Sequence, residues 1–199
     1  MSPRIVAAAF GMVLFGATGG AEAESRSPYA LELSTSLEYG RMIAPSVDPS
    51  RELSARNGGP AIGVAASFRS PYFLAPFLDV GYAQLYTSEE QRTLASGVAL
   101  RSQNSLSTIW GQVGAGGDIW RFRLRAGLGV YRLRVQSEVL GVTISPTEID
   151  YGYSLSVAGF LYDSGRLRIG ADAHLFLIAE AETANVALGV TVAGDAVSW

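Results

Sequence analysis

Apolar and polar residues alternate with a period of two along much of the chain. In residues 29–39 the odd positions are mostly Leu or Tyr, whereas the even positions from 32 onward are Glu or Ser. Successive side chains of a β-strand point to opposite faces, so this pattern predicts a strand with one apolar and one polar face. The same alternation predicts five more strands, at residues 62–69, 121–130, 154–162, 167–177 and 186–192.

Two further segments predict strands with less regular faces. Residues 73–86 alternate around Leu78 and Val80, and Pro76 within them indicates an edge, a bulge or the first residues of the strand. Residues 106–116 form the other segment, and its faces stay open because Ile109 and Trp110 compete for the apolar side. The chain therefore has about eight predicted strands.

The predicted connections between these strands alternate in length. Long links cover residues 41–60, 87–104 and 136–147, and a modest one covers 180–184. Short links lie at 70–72, at the turn Gly116-Gly117-Asp118 and at 163–165. Alternating long and short links are typical of an up-and-down barrel that carries its long loops at one end. An even number of strands places both termini at the other end.

The polar faces decide between a membrane barrel and a soluble one. No segment after the N-terminal region has the roughly twenty consecutive apolar residues of a membrane helix. The polar faces consist of Gly, Ser and Ala with charges, which suits a narrow lumen, whereas a soluble sandwich or lipocalin-like barrel has its apolar face inside. We therefore predict an all-β fold, a single closed antiparallel up-and-down transmembrane β-barrel.

The candidate polar network of its lumen is Glu32, Glu38, Arg69, Asp79, Arg123, Arg125, Asp150, Arg168, Asp172 and His174. Arg121 shares the parity of Arg123 and Arg125 and is expected in the same row.

The first 23 residues have the pattern of a cleaved signal peptide. Arg4 precedes an uncharged run over residues 5–20, and Ala21-Glu22-Ala23 places small residues where a signal peptidase cleaves. The prediction is a signal peptide at 1–23 and a barrel at 24–199; an uncleaved anchor helix is the alternative.

Composition excludes several kinds of chemistry. The chain has no Cys, so thiol nucleophiles, zinc–thiolate sites and lipid attachment to an N-terminal Cys are excluded. The net charge of -3 gives no reason to expect a nucleic-acid partner. All 15 basic residues are Arg, whose guanidinium pairs with carboxylates in a bidentate manner.

The signal peptide, the eight alternating strands, the long loops and the terminal Trp199 together resemble the OmpA/OmpX-type small outer-membrane β-barrels. The resemblance implies residence in the outer membrane, contact with its lipid and lipopolysaccharide, and insertion by the barrel-assembly machinery; a monomer is expected. In that family the last strand ends in an aromatic residue with apolar residues at every second position before it. Val197 and Trp199 fit, whereas Asp195 interrupts the pattern. Either a bulge at Gly194-Asp195 restores the phase, or the strand ends near Ala193.

Candidate chemistry is sparse. His174 is the only His and is expected to be a polar lumen residue near Asp172. No catalytic residue, cofactor site or metal site is predicted. The expected role is therefore a non-enzymatic one, either structural in the envelope or a surface interaction through the outer loops. The alternatives are a lipid-modifying, deacylase-like enzyme of the outer membrane, which requires a nucleophile–base pair, and a narrow channel.

Overall fold

The computed structural model describes residues 29–43, 55–56, 58–72, 74–93, 99–140, 142–179 and 183–199. Ten strands cover most of these residues: β1 (Ala30–Ile43), β2 (Ala55–Arg56), β3 (Gly59–Arg69), β4 (Ala75–Thr93), β5 (Ala99–Ile119), β6 (Phe122–Val139), β7 (Val142–Ile144), β8 (Thr147–Asp163), β9 (Leu167–Ile178) and β10 (Thr183–Ser198). The described residues contain no helix of the length and apolarity needed to span a membrane. The predicted signal peptide lies outside the described residues.

Eight of the strands close into a barrel. Hydrogen bonding follows the order β4-β3-β1-β10-β9-β8-β6-β5, and β5 pairs back with β4. Every pairing in this ring is antiparallel. The short β2 and β7 add to β4 and β6. The predicted eight-stranded antiparallel barrel is confirmed.

The barrel has its apolar faces outside and its polar faces inside. On β1, Leu33 is 48% exposed, whereas its neighbour Glu32 is 1% exposed. A sheet in water would show the opposite orientation, because apolar side chains leave water on folding. The described barrel therefore exposes apolar residues on every side, as a lipid-facing surface requires.

The faces of β5, which the sequence left open, are resolved by the same rule. Ile109 points outward and is 55% exposed, and Trp110 points inward and is 2% exposed. Pro76 is the second residue of β4, at the beginning of the strand.

The outer apolar band is nearly as tall as the band of about 25 Å that outer-membrane barrels present to lipid. On β6 the outward side chains from Phe122 to Val130 are apolar or small, and Arg132 and Arg134 follow on the same face. With a rise of about 3.3 Å per residue and a tilt of about 40°, this stretch is roughly 20 Å tall. Exposed aromatic side chains lie at the two ends of the band: Tyr29, Phe68, Trp120, Phe122 and Trp199 at one end, and Tyr39, Tyr82, Tyr151 and Tyr153 at the other.

The three short connections and both described termini lie at one end of the barrel, which we call the turn end; the opposite end is the loop end.

The short connection after β5 differs from the prediction. β5 continues through the predicted turn at Gly116–Asp118 to Ile119, and the chain reverses at Trp120 and Arg121. Gly116 serves close packing, because a Cβ there would lie 2.4 Å from the Leu124 carbonyl oxygen. Trp120 instead adopts the left-handed conformation, with a φ of 56°.

This shift also moves Arg121 out of the predicted lumen row. Arg121 is exposed at the turn, with its guanidinium carbon 5.7 Å from the centre of the Trp120 ring. The prediction that it shares the lumen with Arg123 and Arg125 is wrong.

At the loop end, strands replace much of the predicted loops. β4 and β5 stay paired as far as Thr93 and Ala99, within the link predicted at 87–104. β6 reaches Val139 and pairs with β7, within the link predicted at 136–147. The extensions of β4 and β5 are largely polar on both faces, so they lack the alternation that predicts a strand. Of the links predicted at 41–60 and 180–184, residues 44–54 and 180–182 lie outside the described residues, while Gly59, Pro60 and Ala184 belong to strands.

The last strand contains a bulge that restores its phase. Glu32 pairs with Asp195 and Leu31 with Val197, so Ala196 is the extra residue. Asp195, before the bulge, points inward, and Val197 and Trp199, after it, point outward, with exposures of 55% and 58%. The strand runs to Ser198, and the Trp199 N–H donates a 3.1 Å hydrogen bond to the Tyr29 carbonyl oxygen. Of the two alternatives for this strand, the bulge is therefore the one observed. It lies one residue later than the expected Gly194-Asp195.

Candidate functional site: the barrel lumen

The turn-end part of the lumen holds a cluster of guanidinium and carboxylate groups, which we call the arginine cluster: Glu32, Asp118, Arg123, Arg125 and Arg168. Register brings these residues together from four strands, because Glu32 lies on β1, Asp118 on β5, Arg168 on β9 and the other two on β6. Glu32 is 1% exposed and lies at the centre of the cluster.

Two arginines share both carboxylates of the cluster. Arg123 donates from Nε to Asp118 Oδ1 at 2.6 Å and from Nη2 to Asp118 Oδ2 at 2.9 Å. Arg168 donates from Nη1 to Asp118 Oδ2 at 2.7 Å. Both guanidinium groups also donate to the Glu32 carboxylate. They pack against the Phe160 ring, with the guanidinium carbon of Arg168 4.2 Å from the ring centre. This network joins distant strands through charged hydrogen bonds.

Arg125 is held differently. Its Nη2 donates to Ser67 Oγ at 3.1 Å and lies 4.0 Å from Glu32 Oε1. Its guanidinium carbon lies 5.2 Å from the centre of the Phe77 ring. The oxygens of Glu32 already accept hydrogen bonds from Arg123 and Arg168. Among the described residues, Arg125 is thus the guanidinium of the cluster that makes no hydrogen bond to a carboxylate, and its ion pair with Glu32 is the longest in the cluster.

An ion pair between Arg69 and Asp195 lies near the arginine cluster. Arg69 donates from Nη1 and Nη2 to the two Asp195 oxygens at 3.0 and 2.8 Å. The pair links β3 to the bulged end of β10, where Asp195 keeps the inward phase of the residues before the bulge.

A cavity of about 350 Å³ lies at the turn end. Its lining includes Arg69, Arg123, Arg125 and the connection at Ser70, Pro71 and Tyr72. Tyr72 is 76% exposed, so the cavity lies beside the solvent at this end.

The middle of the lumen carries carboxyl groups and the histidine. Asp79 accepts hydrogen bonds from Trp110 Nε1, at 3.2 Å, and from the Gln112 side chain. His174 Nδ1 lies 3.7 Å from Glu38 Oε1, and the His174 ring stacks on Phe176 with 3.8 Å between ring centres. A cavity of about 40 Å³ separates these groups from Arg123 and Arg125. Space of this size holds water molecules between polar groups.

Apolar side chains fill the lumen toward the loop end. Trp110, Tyr131 and Phe176 are each at most 3% exposed and contact one another through Phe176, at ring-centre distances of 4.8 and 6.1 Å. We call this packed group the lumen plug: Ala61, Ala83, Leu85, Trp110, Tyr131, Leu133, Phe176, Ile178 and Ala187. Within the described residues, the plug places the hydrophobic core of the protein inside the barrel.

The structure places the ten sequence-predicted lumen residues on inward positions of their strands. Glu32, Arg69, Arg123, Arg125 and Arg168 lie toward the turn end, and Glu38, Asp79, Asp172 and His174 lie around the middle. Asp150, which is 1% exposed, pairs in register with Tyr131 of the plug and accepts a hydrogen bond from the Tyr151 N–H. The nearest carboxylate partner of His174 is Glu38, although Asp172 was the expected neighbour.

Sequence reasoning missed several inward residues: Trp110, Gln112, Asp118 and Tyr131. Asp118 was hidden by the predicted glycine turn, although it shares its parity with Gln112 and follows it by six residues. Trp110 and Tyr131 are aromatic, and hydropathy alone does not distinguish an aromatic residue of the lumen from one that faces lipid.

The described residues contain no group of three or more His, Asp or Glu residues that could hold a metal ion. The inward charged groups among them form ion pairs and hydrogen bonds. Cavities large enough for water lie beside these groups. Chemically, the arrangement suits cross-strand stabilisation at the middle of the barrel and the binding of small polar species at the turn end.

Comparison with known proteins adds to this geometry. No family model matches the sequence, and no curated protein matches it. Among solved structures, Ail, the attachment invasion locus protein of Yersinia pestis, in complex with the heparin analogue sucrose octasulfate, is similar with a TM-score of 0.55 and 10% identity over 84% of this chain and 97% of that chain. Another crystal structure of Ail gives a TM-score of 0.53 and 11% identity over the same shares of 84% and 97%. Neisserial surface protein A gives a TM-score of 0.49 and 12% identity over 89% of this chain and 99% of that chain. At such identities the likeness is one of fold. The chain has the fold of the small OmpA/OmpX-type outer-membrane β-barrels.

Proposed function

We propose that this protein is exported by its predicted signal peptide, resides in a bacterial outer membrane, and acts there without enzymatic activity by binding a protein partner at the cell surface. The observation that carries the proposal is a group of strands that continues beyond the barrel at the loop end and presents apolar side chains. The fold and the lipid-facing apolar band support the membrane location.

The packed lumen argues against transport. The lumen plug fills the loop-end half of the barrel, and the arginine cluster crosses the turn-end half. An eight-stranded barrel has an interior just wide enough for side chains. We therefore assign the function to the outer surface rather than to a channel.

The strands β4, β5 and β6 form a wall that extends past the rest of the barrel. β4 and β5 stay paired to Thr93 and Ala99, and β5 and β6 to Ser102 and Val139. On the opposite side of the barrel, the pairing of β8 with β9 ends at Gly152 and Ile178. An ordered extension of this kind holds its surface in a fixed position above the membrane.

The tip of the wall carries exposed apolar side chains. Val139, Leu140, Val142 and Ile144, which we call the tip surface, are 42%, 70%, 64% and 64% exposed. They lie beyond Arg132 and Arg134, where the outward face of β6 has already become polar. Lipid does not account for apolar residues at this height, whereas a binding partner does.

The backbone of β7 favours a polypeptide as the partner. Among the described strands, β7 pairs with β6 alone, so its other edge offers unpaired N–H and C=O groups. An extended peptide can add to such an edge while its side chains contact the apolar residues. Ail, whose fold is similar, is an attachment protein by name and was crystallised with a heparin analogue. A polyanion is the less favoured partner here, because the tip surface is apolar.

The experiment measures adhesion by bacteria that express the full chain. We expect them to adhere to an epithelial monolayer more than cells with an empty vector. Replacing Leu140, Val142 and Ile144 by Ser is expected to abolish the gain. The matched control replaces Arg134, Gln136 and Glu138, which lie on the outward face of β6, by Ser. This variant is expected to keep the gain in adhesion.

Pretreatment of the monolayer identifies the class of partner. Trypsin treatment should remove the binding, and heparinase should leave it unchanged. Equal adhesion by the tip variant and the unchanged protein would contradict the proposal, as would binding that only heparinase removes. Outer-membrane fractionation and a heat-modifiable gel band verify that every variant is inserted and folded.

A further inference from the structure

We propose that the turn-end cavity is a binding site for a small oxyanion, a carboxylate or a phosphate group, with Arg125 as its principal ligand. The cavity opens at the end of the barrel opposite the tip surface, so this site is separate from the proposed surface function.

One guanidinium beside the cavity makes no hydrogen bond to a carboxylate among the described residues. Four inward arginines occupy this end of the lumen: Arg69, Arg123, Arg125 and Arg168. The carboxylates that pair with them are those of Glu32, Asp118 and Asp195, and Asp79 lies farther in, beside the small central cavity. Arg123 and Arg168 are bonded to Glu32 and Asp118, and Arg69 is bonded to Asp195. Arg125 is left with the longer contact to Glu32 Oε1, at 4.0 Å.

The Arg125 side chain is oriented by contacts that, within the described residues, engage one of its N–H donors in a hydrogen bond. Ser67 Oγ accepts from Nη2, and the Phe77 ring supports the guanidinium plane at 5.2 Å. A guanidinium has five N–H donors in a planar fork, which matches the oxygens of a carboxylate or a phosphate. Arg125 lines both the turn-end cavity and the small central cavity, and its side chain is 15% exposed. A ligand therefore meets a guanidinium that is already fixed.

The rest of the lining fits the same class of ligand. Ser67 and Ser70 contribute hydroxyl groups to the cavity wall. Asp118 also lines the cavity, but both of its oxygens accept hydrogen bonds from arginines, which offsets its repulsion of an anion. A volume of about 350 Å³ accommodates a small organic anion together with water.

Binding is measured by isothermal titration of the full barrel in a maltoside detergent, whose headgroup carries no charge. Orthophosphate and acetate are titrated separately at constant ionic strength set with chloride, which distinguishes phosphate from carboxylate as the preferred group. Saturable 1:1 binding of at least one of them is expected. Arg125→Gln should weaken it by about tenfold or more, because charge-assisted hydrogen bonds are lost. Arg132→Gln removes an outward arginine of the same strand and should leave the affinity unchanged.

Two further measurements keep the test independent of folding. Arg125→Lys keeps the charge and removes the planar fork, so an intermediate affinity is expected. In the unchanged protein, NMR shifts of backbone amides on adding phosphate or acetate should concentrate at Ser67, Ser70 and Gly117. Absence of saturable binding by the unchanged protein, equal loss in the Arg125 and Arg132 variants, or shifts confined to the loop end would overturn the proposal.

Discussion

Neighbouring side chains on a strand of this barrel face opposite surroundings, one facing lipid and the next facing the lumen. Leu33 and Ser34 are neighbours on β1, yet Leu33 is 48% exposed on the apolar band and Ser34 is 8% exposed beside the small central cavity. An arginine at position 33 would therefore meet hydrocarbon, whereas an added methyl group at position 34 would meet vacant space.

This contrast gives the first prediction. Leu33→Arg should destabilise the folded barrel by about 2–4 kcal/mol if the site lies mid-bilayer. Ser34→Thr, one residue away, should have a much smaller effect. The measurement is reversible urea unfolding of each variant in lipid vesicles. Equal tolerance at the two positions would contradict the assignment of the faces.

The arginine cluster gives a second prediction at this scale. Glu32→Gln removes the carboxylate that Arg123 and Arg168 share, and leaves buried guanidinium groups with fewer counter-charges. Breaking a buried ion pair from one side typically costs about 3–5 kcal/mol. The same unfolding assay should show a loss of that order. Glu138→Gln, on the exposed outer face of β6, is the control and should leave the midpoint unchanged.

At the scale of elements, the bulge in β10 joins two parts of the strand in which different parities of residue number face outward. Ala196 is unmatched on β1, so Asp195 faces Arg69 in the lumen while Val197 and Trp199 face outward. Trp199 then packs on Phe68, with ring centres 5.9 Å apart, and Phe68 packs on Tyr29 at 6.4 Å.

Two deletions of equal length test this account. Deleting Ala196 removes the extra residue and leaves every inward and outward direction as it was, so the barrel should still fold. Deleting Val192 shifts the following residues by one position and turns Asp195 toward lipid, because a slip of one residue exchanges the faces. We expect a heat-modifiable band for the first deletion and its loss for the second. Comparable folding of both would contradict the assigned register.

The elements show what the sequence could predict and where it could not. The alternation located all eight barrel strands, because lipid outside and side chains inside impose opposite chemistry on alternate residues. It failed for Trp110, since an aromatic residue in the lumen has the same hydropathy as one facing lipid. It also failed beyond Tyr86, where both faces meet water and neither needs to be apolar. The glycines at 116 and 117 imitate a turn, and nothing in the sequence separates that role from the close packing of strands.

The arginine cluster was only partly accessible from the sequence. Parity placed Glu32, Arg123 and Arg168 on inward faces, but pairing depends on the stagger between strands, which a period of two does not define. The distinct state of Arg125 follows from which carboxylates the other arginines have already engaged, and that information is purely geometric.

At the scale of the whole molecule, the interior is divided between a polar half and an apolar half. The arginine cluster lies toward the turn end, and the lumen plug lies toward the loop end. No continuous aqueous path follows from this arrangement of the described residues.

The corresponding prediction concerns conductance. Purified protein in a planar bilayer should show no steady large conductance, because Trp110, Tyr131 and Phe176 occupy the cross-section of the barrel. Replacing Trp110 and Phe176 by Ala removes two of these three rings, whose centres lie 4.8 Å apart, and should raise the conductance. A large steady current from the unchanged protein would contradict the packed lumen and favour the channel alternative.

The seam between β1 and β10 has a consequence for the order of events in biosynthesis. These strands are the first and last of the barrel, and they pair over the whole length from Ala30–Ser198 to Ile43–Ala184. Strands β1 and β9 therefore have an unsatisfied edge until β10 has left the ribosome, and such edges promote aggregation. Closure requires contacts between residues separated by most of the chain, which slows folding relative to a fold with local contacts. These edges must consequently be shielded until β10 can pair, and every truncation that removes β10 leaves a sheet with two open edges rather than a smaller barrel.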